Sequence, residues 1–263
     1  MEIWKTILLG VVEGVTEFLP ISSTGHMILV EHWVEFPKEL GKTFDVFIQL
    51  GAILAVVLYF RRRISTWLST FHLSRATSHP ITLVLLAFLP AAVVGLATHK
   101  WIQLHLFHPR SVATALIIGG IVMEIVERTR KVQRTSSIEE MSLTQAIQIG
   151  LFQCFSLLPG VSRSGATIVG ALLAGLTLPA AAEFSFFLAI PTIFAASGYS
   201  LVKVYSTLSP ADLGQLSLGF LVAFVTALPV VATFIRYIQS NSFRPFVVYR
   251  IVLGLVVLAV VNG

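Results

Sequence analysis

The amino-acid sequence predicts an all-α integral membrane protein made of two inverted-topology repeats. Each repeat is predicted to be a re-entrant helix pair followed by three transmembrane helices. The composition is the first observation behind this prediction: of 263 residues, 56% are hydrophobic and only 12% are charged. Soluble domains carry roughly 25% charged residues, and the mean hydropathy here is +0.86. So few charges cannot cover a water-facing surface, which excludes a soluble globular protein.

The second observation is the spacing of the apolar runs. Runs suitable for helices lie near 3–12, 26–34, 44–60, 81–98, 112–126, 146–158, 166–178, 184–202, 216–235 and 246–261. Several are too short to cross a hydrocarbon core of about 30 Å. The short runs flank two polar segments that contain Pro and Gly, at 13–26 and 159–167. Such interruptions predict re-entrant helix pairs, because irregular backbone survives at membrane depth only where protein or a water-filled cavity satisfies it.

The third observation is an internal repeat. With a shift of 140 residues, Gly-Val-Val-Glu at 10–13 aligns with Gly-Leu-Phe-Gln at 150–153, and Ser-Ser-Thr-Gly at 22–25 aligns with Ser-Arg-Ser-Gly at 162–165. Phe44 aligns with Phe184 at the same shift. We therefore expect a single membrane domain over 1–263, with repeat one at about 1–130 and repeat two at about 140–263. An odd number of crossings in each half would give the halves opposite orientations, as in many transporters.

Loop charges predict which side of the membrane each terminus faces. One set of predicted loops carries Arg61, Arg62, Arg63, Arg75, Arg128, Arg130, Lys131, Arg134, Arg236 and Arg244. The side that includes the termini carries Lys5, Lys38, Lys42, Lys100, Arg110 and Lys203. Because cytoplasmic loops are enriched in Lys and Arg, the first set is predicted to be cytoplasmic. Both termini would then face outward.

The first polar segment carries two carboxylates one helical turn apart. Glu13 and Glu17 share a face of a helix at this spacing, and ionisable groups at membrane depth are costly. Either the pair holds a divalent cation through oxygen ligands, as Mg²⁺ and Ca²⁺ sites do, or one member stays protonated as an acid. A purely interfacial pair in contact with water is the structural alternative.

A hydroxyl-rich turn and a histidine follow these carboxylates. Ser22 and Ser23 are candidate nucleophiles, and His26 is a candidate base, acid or nucleophile. Ser22 and Thr24 are also candidates to bind substrate. The alternative is structural, since Ser and Thr in membrane helices often bond to a carbonyl one turn back.

The second polar segment carries Arg163, the only Arg or Lys between 146 and 202. A guanidinium flanked by serines on a turn before a helix suits a tetrahedral oxyanion, because it binds bidentately and the helix N-terminus favours negative charge. The predicted anion-binding residues are Ser162, Arg163, Ser164 and Thr167. Alternatively, Arg163 is a structural partner of Glu13, Glu17 or Glu183. Gln153, which aligns with Glu13, and Glu183 are candidate supporting residues.

Other functional classes lack a signature in the sequence. The net charge of +5 comes without an aromatic-interleaved basic stripe, so no nucleic-acid partner is expected. The single cysteine, Cys154, excludes an intramolecular disulfide. No P-loop, zinc-protease, nucleophile-elbow or paired-cysteine motif is present.

The two polar segments resemble the paired signatures of the bacterial undecaprenyl-diphosphate phosphatases of the UppP/BacA type. The similarity covers the whole chain, including residues 43–51, the Glu-Phe-Ser-Phe at 183–186 and a Pro-x-x-x-Tyr-Arg segment at 245–250. Asp45 departs mildly, since relatives often have Glu there. The resemblance implies hydrolysis of a C55 isoprenoid diphosphate to its monophosphate in the bacterial inner membrane, which recycles the carrier lipid for cell-wall synthesis and is linked to bacitracin resistance. It also implies a divalent-cation requirement and dimers.

Our mechanistic hypothesis from the sequence is that Glu13 and Glu17 bind Mg²⁺ or Ca²⁺ and that Arg163 binds the phosphate. Ser23 is the preferred nucleophile with His26 as its base. Alternatively, His26 itself is the nucleophile or activates water. The rival from another class is a secondary transporter or lipid flippase, which would use Arg163 for an anionic substrate and the carboxylates for a coupling ion.

Overall fold

The computed structural model describes residues 2–36, 38–72, 77–129, 134–204 and 209–262. Within these residues the chain forms eleven α-helices and no β-strand, which confirms the all-α prediction. The helices are α1 (Ile3–Thr16), α2 (Ser23–Trp33), α3 (Lys38–Tyr59), α4 (Arg61–Thr70), α5 (Pro80–His105), α6 (Pro109–Thr129), α7 (Leu143–Gln153), α8 (Arg163–Leu173), α9 (Leu178–Val204), α10 (Pro210–Ile238) and α11 (Arg244–Asn262).

Long apolar helices make this a multi-pass membrane protein. By length and composition, α5, α6, α9 and α10 are each able to cross a membrane. The pair α3 and α4 is bent by 72° and makes a fifth crossing if it is one span. The sixth predicted span corresponds to α11, which has 19 residues. Leu, Val, Ile and Phe side chains on the outside of these helices are widely exposed, as expected for surfaces that face lipid.

Both predicted interruptions are present as short breaks between two helices. The first hairpin is α1 and α2, joined through residues 17–22, and the second is α7 and α8, joined through a short 3₁₀ helix at Cys154–Leu157 and residues 158–162. Each second helix begins after a serine N-cap: the Oγ of Ser22 accepts from the backbone N–H of Gly25, and that of Ser162 accepts from Gly165. Both serines have positive φ, 70° and 75°. The two turns therefore share one unusual backbone conformation.

Helices of the two halves pack across each other in a repeated pattern. The first hairpin's α1 packs on α10 of the second half, and the second hairpin's α7 packs on α5 of the first half. The last helices of the halves, α6 and α11, pack on each other. The element order also repeats, with two short helices followed by long ones. This arrangement is compatible with two intertwined repeats, while their opposite orientation in a membrane stays a prediction.

Several of the loop charges on which the predicted orientation depends lie outside the described residues. Arg75, Arg130 and Lys131 are among them, and so are the side chains of Lys38, Lys42 and Lys203.

Candidate active site

The tips of the two hairpins touch and enclose a polar cavity of about 190 Å³. Ser164 of the second tip donates a hydrogen bond of 2.8 Å to the carbonyl of Leu19 in the first tip. The polar side chains on the cavity wall are Glu17, Ser22, Ser23, Thr24, Gln49, Ser156, Ser162, Arg163 and Thr192. Six of the twelve predicted site residues therefore line one cavity, although the two hairpins lie about 140 positions apart in the sequence.

The carboxylate of Glu17 joins the two hairpins. Its Oε2 accepts a 2.6 Å hydrogen bond from the hydroxyl of Ser23, and its Oε1 accepts one of 3.3 Å from Nη2 of Arg163. Glu17 and Ser23 are each only 8% exposed. Charge-assisted hydrogen bonds of this kind are stronger than neutral ones, so Glu17 fixes both the hydroxyl and the guanidinium at the cavity wall.

Arg163 keeps donor capacity after making these contacts. Its Nη1 donates to the carbonyl of Ser185 at 2.9 Å, and its guanidinium lies 5.7 Å from the ring centre of Phe18. The buried Nε has no hydrogen-bond partner among the described residues. Because the Arg163 side chain also lines the cavity, this largely buried cation is suited to bind an anionic oxygen there.

The other hydroxyls of the second hairpin mostly hold the turn together. Ser162 caps α8 and lies 3.0 Å from the hydroxyl of Ser164. Thr167 donates to Ser185 Oγ at 2.6 Å, with the carbonyls of Arg163 and Ser164 also within reach. Ser164 and Thr167 are fully buried, whereas Ser162 lines the cavity. The geometry therefore gives Ser164 and Thr167 a part in building the turn beneath Arg163.

Glu13 is buried one helical turn before Glu17. It is 1% exposed, and its Oε1 has no hydrogen-bond partner among the described residues. A buried carboxylate oxygen without a protein partner is satisfied by a proton, a water molecule or an ion. Within the described residues no group of three or more His, Cys, Asp or Glu side chains is placed to hold a metal. A cation here would thus need substrate oxygens or water to complete its coordination, as Mg²⁺ sites with one or two carboxylates commonly do.

His26 makes different contacts from those the sequence suggested. Its Nδ1 lies 2.8 Å from the carbonyl oxygen of Ser22, and its Nε2 lies 2.6 Å from the hydroxyl of Tyr249 in α11. The hydroxyl of Ser23 donates to Glu17 instead. The assignment of His26 as the base of Ser23 therefore finds no support in these hydrogen bonds, which pair Ser23 with a carboxylate.

The two candidate supporting residues form hydrogen bonds with partners other than Arg163. Glu183 pairs with Nη1 of Arg63 at 2.5 Å, and Arg63 also binds Glu139. Glu183 therefore joins a cluster near α4 instead of orienting Arg163. Gln153 is fully buried; its Oε1 accepts from Thr192 at 3.4 Å, and its Nε2 has no partner among the described residues.

Comparison with known proteins identifies the family. The family model described as bacitracin resistance protein BacA matches residues 6–256. A protein named undecaprenyl-diphosphatase from Thermoanaerobacter sp. (strain X514) is 45% identical over 98% of this chain and 96% of its own length. A protein of the same name from Sorangium cellulosum is 50% identical over 97% of this chain and 85% of its own. In Rhodospirillum rubrum, undecaprenyl-diphosphatase 2 is 49% identical over 97% and 93%. The chain belongs to the BacA family.

A second cavity lies beside the polar one in this BacA family member. It has a volume of about 640 Å³ and is lined mainly by apolar residues of α6, α7 and α8. Leu158 lines both cavities. Along the turn, Pro159 and Val161 face the apolar cavity while Gly160 and Ser162 face the polar one. The second hairpin tip is thus a thin wall between a polar and an apolar space.

Arg250 is a site-building residue that the sequence reasoning did not single out. It is fully buried in α11 and donates to four backbone carbonyls. The acceptors are Pro20 at 3.1 Å, Gly160 at 3.1 Å, Leu116 at 3.4 Å and Ala115 at 3.4 Å. It therefore ties both turns of this BacA site to α6. A lone arginine inside the apolar run 246–261 was the available signal.

Gly160 shows how closely these elements approach. Its φ is +95°, and a Cβ at this position would lie 2.5 Å from the carbonyl oxygen of Val112 in α6. A side chain is therefore excluded by both the backbone conformation and the space.

Proposed function

We propose that the polar cavity is where this BacA family member hydrolyses undecaprenyl diphosphate to undecaprenyl phosphate and inorganic phosphate. The observation that carries the proposal is the junction at Glu17, where a hydroxyl from one hairpin and a guanidinium from the other converge. This arrangement offers a nucleophile, a proton acceptor and a cation for phosphate within one small cavity. The names of the relatives agree with it.

In the proposed reaction the Ser23 hydroxyl attacks the terminal phosphorus. Its proton passes to Oε2 of Glu17, to which it is already hydrogen bonded at 2.6 Å. The bond from the terminal phosphorus to the bridging oxygen breaks, and its electron pair leaves with undecaprenyl phosphate. Water then attacks the phosphoserine, releasing inorganic phosphate and restoring the hydroxyl. A water molecule activated by Glu17 is the alternative without a covalent intermediate.

Arg163 supplies the positive charge that this step needs. Phosphoryl transfer depends mainly on positioning and on stabilising charge at the equatorial oxygens. The Arg163 side chain lines the polar cavity, and its Nη groups are already anchored by Glu17 and Ser185. The guanidinium therefore keeps its orientation while the phosphate changes shape.

We also propose that Glu13, with Glu17, holds a divalent cation, Mg²⁺ or Ca²⁺. The unpaired buried Oε1 of Glu13, one helical turn from the Glu17 carboxylate, fits a hard cation, which prefers oxygen ligands. A bound cation would neutralise negative charge on the diphosphate oxygens. The role of these side chains is to present two carboxylates at the depth where the diphosphate is held.

The apolar cavity suits the isoprenoid chain next to the diphosphate. Leu158 lines both cavities, so a lipid whose head lies near Arg163 would reach the apolar space if that side chain moved aside. Pockets that bind lipids are mainly apolar with a few polar groups at one end. The remainder of a C55 chain would lie between the helices in the bilayer.

The proposed place of action is the bacterial inner membrane, with both termini on the outer side and the two hairpins open to opposite sides. The single cysteine makes this testable. On a Cys154→Ser background, we expect Glu2→Cys to react with an impermeant maleimide in intact cells and Ser69→Cys to react only after lysis. The reverse pattern would overturn the orientation.

Dimers follow only from the resemblance to the family. Multi-angle light scattering of the protein in detergent, with the detergent mass subtracted, should give about twice the 28.7 kDa of one chain. A mass of one chain would contradict this part of the proposal.

The assay that tests the function is phosphate release from undecaprenyl diphosphate by purified protein in detergent micelles. No gradient exists there, so a transporter or flippase would release none. We expect release that stops with EDTA and returns with Mg²⁺ or Ca²⁺. Movement of the lipid across liposomes without hydrolysis would favour the transporter instead.

A further inference from the structure

The contact between His26 and Tyr249 joins the first hairpin to the last helix. The two ring planes are inclined by only 4°, with centroids 5.5 Å apart, and the Tyr249 hydroxyl lies 2.6 Å from Nε2 of His26. The two ring planes are therefore nearly parallel, and the hydroxyl lies within hydrogen-bond distance of the Nε2 nitrogen.

The other ring nitrogen decides which atom donates. Nδ1 of His26 lies 2.8 Å from the carbonyl oxygen of Ser22. Since a carbonyl only accepts, Nδ1 must carry a proton. In the neutral imidazole Nε2 is then the acceptor, and the Tyr249 hydroxyl is the donor. If the ring becomes protonated, the same hydroxyl oxygen is able to accept, so Tyr249 holds the ring in both states.

The position of Tyr249 is fixed by its neighbour in the chain. Arg250 donates to Pro20 in the first hairpin turn and to Gly160 in the second. These hydrogen bonds fix the position of the backbone at 249–250 relative to both turns. A hydroxyl on such a rigid element is able to position a partner precisely enough to matter for a reaction.

The carbonyl that accepts the hydrogen bond from His26 belongs to Ser22, the residue before the proposed nucleophile. Ser22 is the N-cap of α2 with φ of 70°, and the next residue is Ser23. The hydrogen bond from His26 therefore restrains the carbonyl of the turn that carries the attacking hydroxyl. A ring that turned away would remove this hydrogen bond and leave the Ser22 carbonyl with only the backbone N–H groups of Gly25 and His26 as donors among the described residues.

We propose that Tyr249 is a positioning residue for the reaction. Its hydroxyl holds the His26 imidazole with Nδ1–H on the Ser22 carbonyl, and thereby keeps the turn that presents Ser23 to Glu17. Tyr249 acts through His26 and does not itself line the polar cavity. The inference rests on the proposed function, because it concerns the turn that carries the proposed nucleophile.

The test is Tyr249→Phe, which removes the hydroxyl and keeps the ring. We expect kcat for phosphate release to fall about fivefold, in line with one lost hydrogen bond, while KM stays within about twofold. The matched control is Tyr237→Phe, since the Tyr237 hydroxyl donates to the Ser242 carbonyl away from the cavity. The control should leave kcat unchanged. Equal kcat in Tyr249→Phe and the wild type would overturn the proposal.

A second readout does not depend on activity. In protein labelled with ¹⁵N-histidine, the His26 signals are assigned by comparison with His26→Gln. We expect the neutral tautomer with the proton on Nδ1, and a shift of the Nε2 signal in Tyr249→Phe. A proton on Nε2, or spectra identical in the two proteins, would overturn the proposal. So would a Tyr249→Phe protein that no longer folds, because the hydroxyl would then serve the fold and not the site.

These outcomes separate the two proposals. Wild-type protein without phosphate release would refute the proposed function. Normal release by the wild type together with unchanged kcat in Tyr249→Phe would refute only the role of Tyr249.

Discussion

Ser23 and Arg163 occupy equivalent positions in the two hairpins, and both donate to the carboxylate of Glu17. Each is the first residue of its helix and follows a serine N-cap with positive φ. The two hairpins therefore share a local backbone geometry but carry different side chains at this position. One half contributes a hydroxyl and the other a cation, and the tips meet so that both reach the same cavity.

Removing the Ser23 hydroxyl should abolish most activity without affecting the fold. We expect Ser23→Ala to lower kcat by at least about 100-fold, because it removes the proposed nucleophile. The control is Ser197→Ala, whose buried hydroxyl donates to the Val46 carbonyl and is not part of the cavity wall. Trapping with ³²P-labelled substrate should label residue 23. Label on residue 26 would instead favour histidine as the nucleophile.

Replacing Glu13 should change the cation requirement. We expect Glu13→Gln to need about tenfold more Mg²⁺ for half-maximal activity, since one negative ligand is lost. Glu124→Gln is a suitable control. Glu124 lies on α6 and pairs with Arg128 of the same helix and with Arg244 of α11. Titration of phosphate release with Mg²⁺ after EDTA treatment measures the effect. An unchanged titration curve would exclude Glu13 as a ligand.

Removing the Arg250 guanidinium should first of all lower the stability of the fold, and any effect on catalysis should follow from that loss. Arg250→Met leaves buried carbonyls of both turns without donors, which we expect to lower the free energy of unfolding by about 3 kcal/mol. Arg236→Met, at an exposed position, should change it by no more than about 0.5 kcal/mol. Thermal unfolding in detergent compares the two variants. Equal melting temperatures of the two variants would show that the hydrogen bonds of Arg250 do not stabilise the fold.

The cluster around Arg63 predicts a pH effect outside the membrane-spanning helices. Partial burial alone would raise the pKa of Glu139, but hydrogen bonds from Arg63 and Trp67 outweigh it and lower the pKa below its usual value. The pairing therefore contributes stability above about pH 4.5, and the contribution is lost as the pH falls through the lower folded-state pKa. Glu139 is half exposed, so we expect about 0.5 kcal/mol.

Unfolding of Glu139→Gln and wild type at two pH values measures this contribution. The variant should be the less stable at pH 7, and the difference should shrink at pH 3. A difference that grows at low pH would contradict the sign.

The two hairpins could be predicted from the sequence because residues within each hairpin are what interrupt its helices. Pro, Gly and hydroxyl residues interrupt apolar runs at 13–26 and 159–167, and the structure breaks its helices there. The repeat aligned Ser22 with Ser162, and in the structure the two serines make the same helix cap. Because an unpaired arginine is costly in an apolar environment, Glu13, Glu17 and Glu183 were the alternative partners of Arg163, and the structure pairs it with Glu17.

The partners of several side chains could not be predicted in this way. Which residue meets His26 depends on where α11 packs, and Tyr249 lies 223 positions away in the chain. Glu183 was one candidate partner of Arg163, but the bend after α3 brings Arg63 to it instead. Likewise, the hydroxyls of Ser164 and Thr167 turn into the packed interior, which spacing along one helix does not reveal.

The central claim is that both hairpin tips act on one diphosphate, and Arg163→Ala tests it most directly. Phosphate release from undecaprenyl diphosphate should fall by at least about 100-fold, while Arg63→Ala, outside the cavity, should keep kcat within about twofold. Folding of both variants is checked by their elution and thermal unfolding in the same detergent. A folded Arg163→Ala protein that hydrolyses the lipid at the wild-type rate would contradict the account.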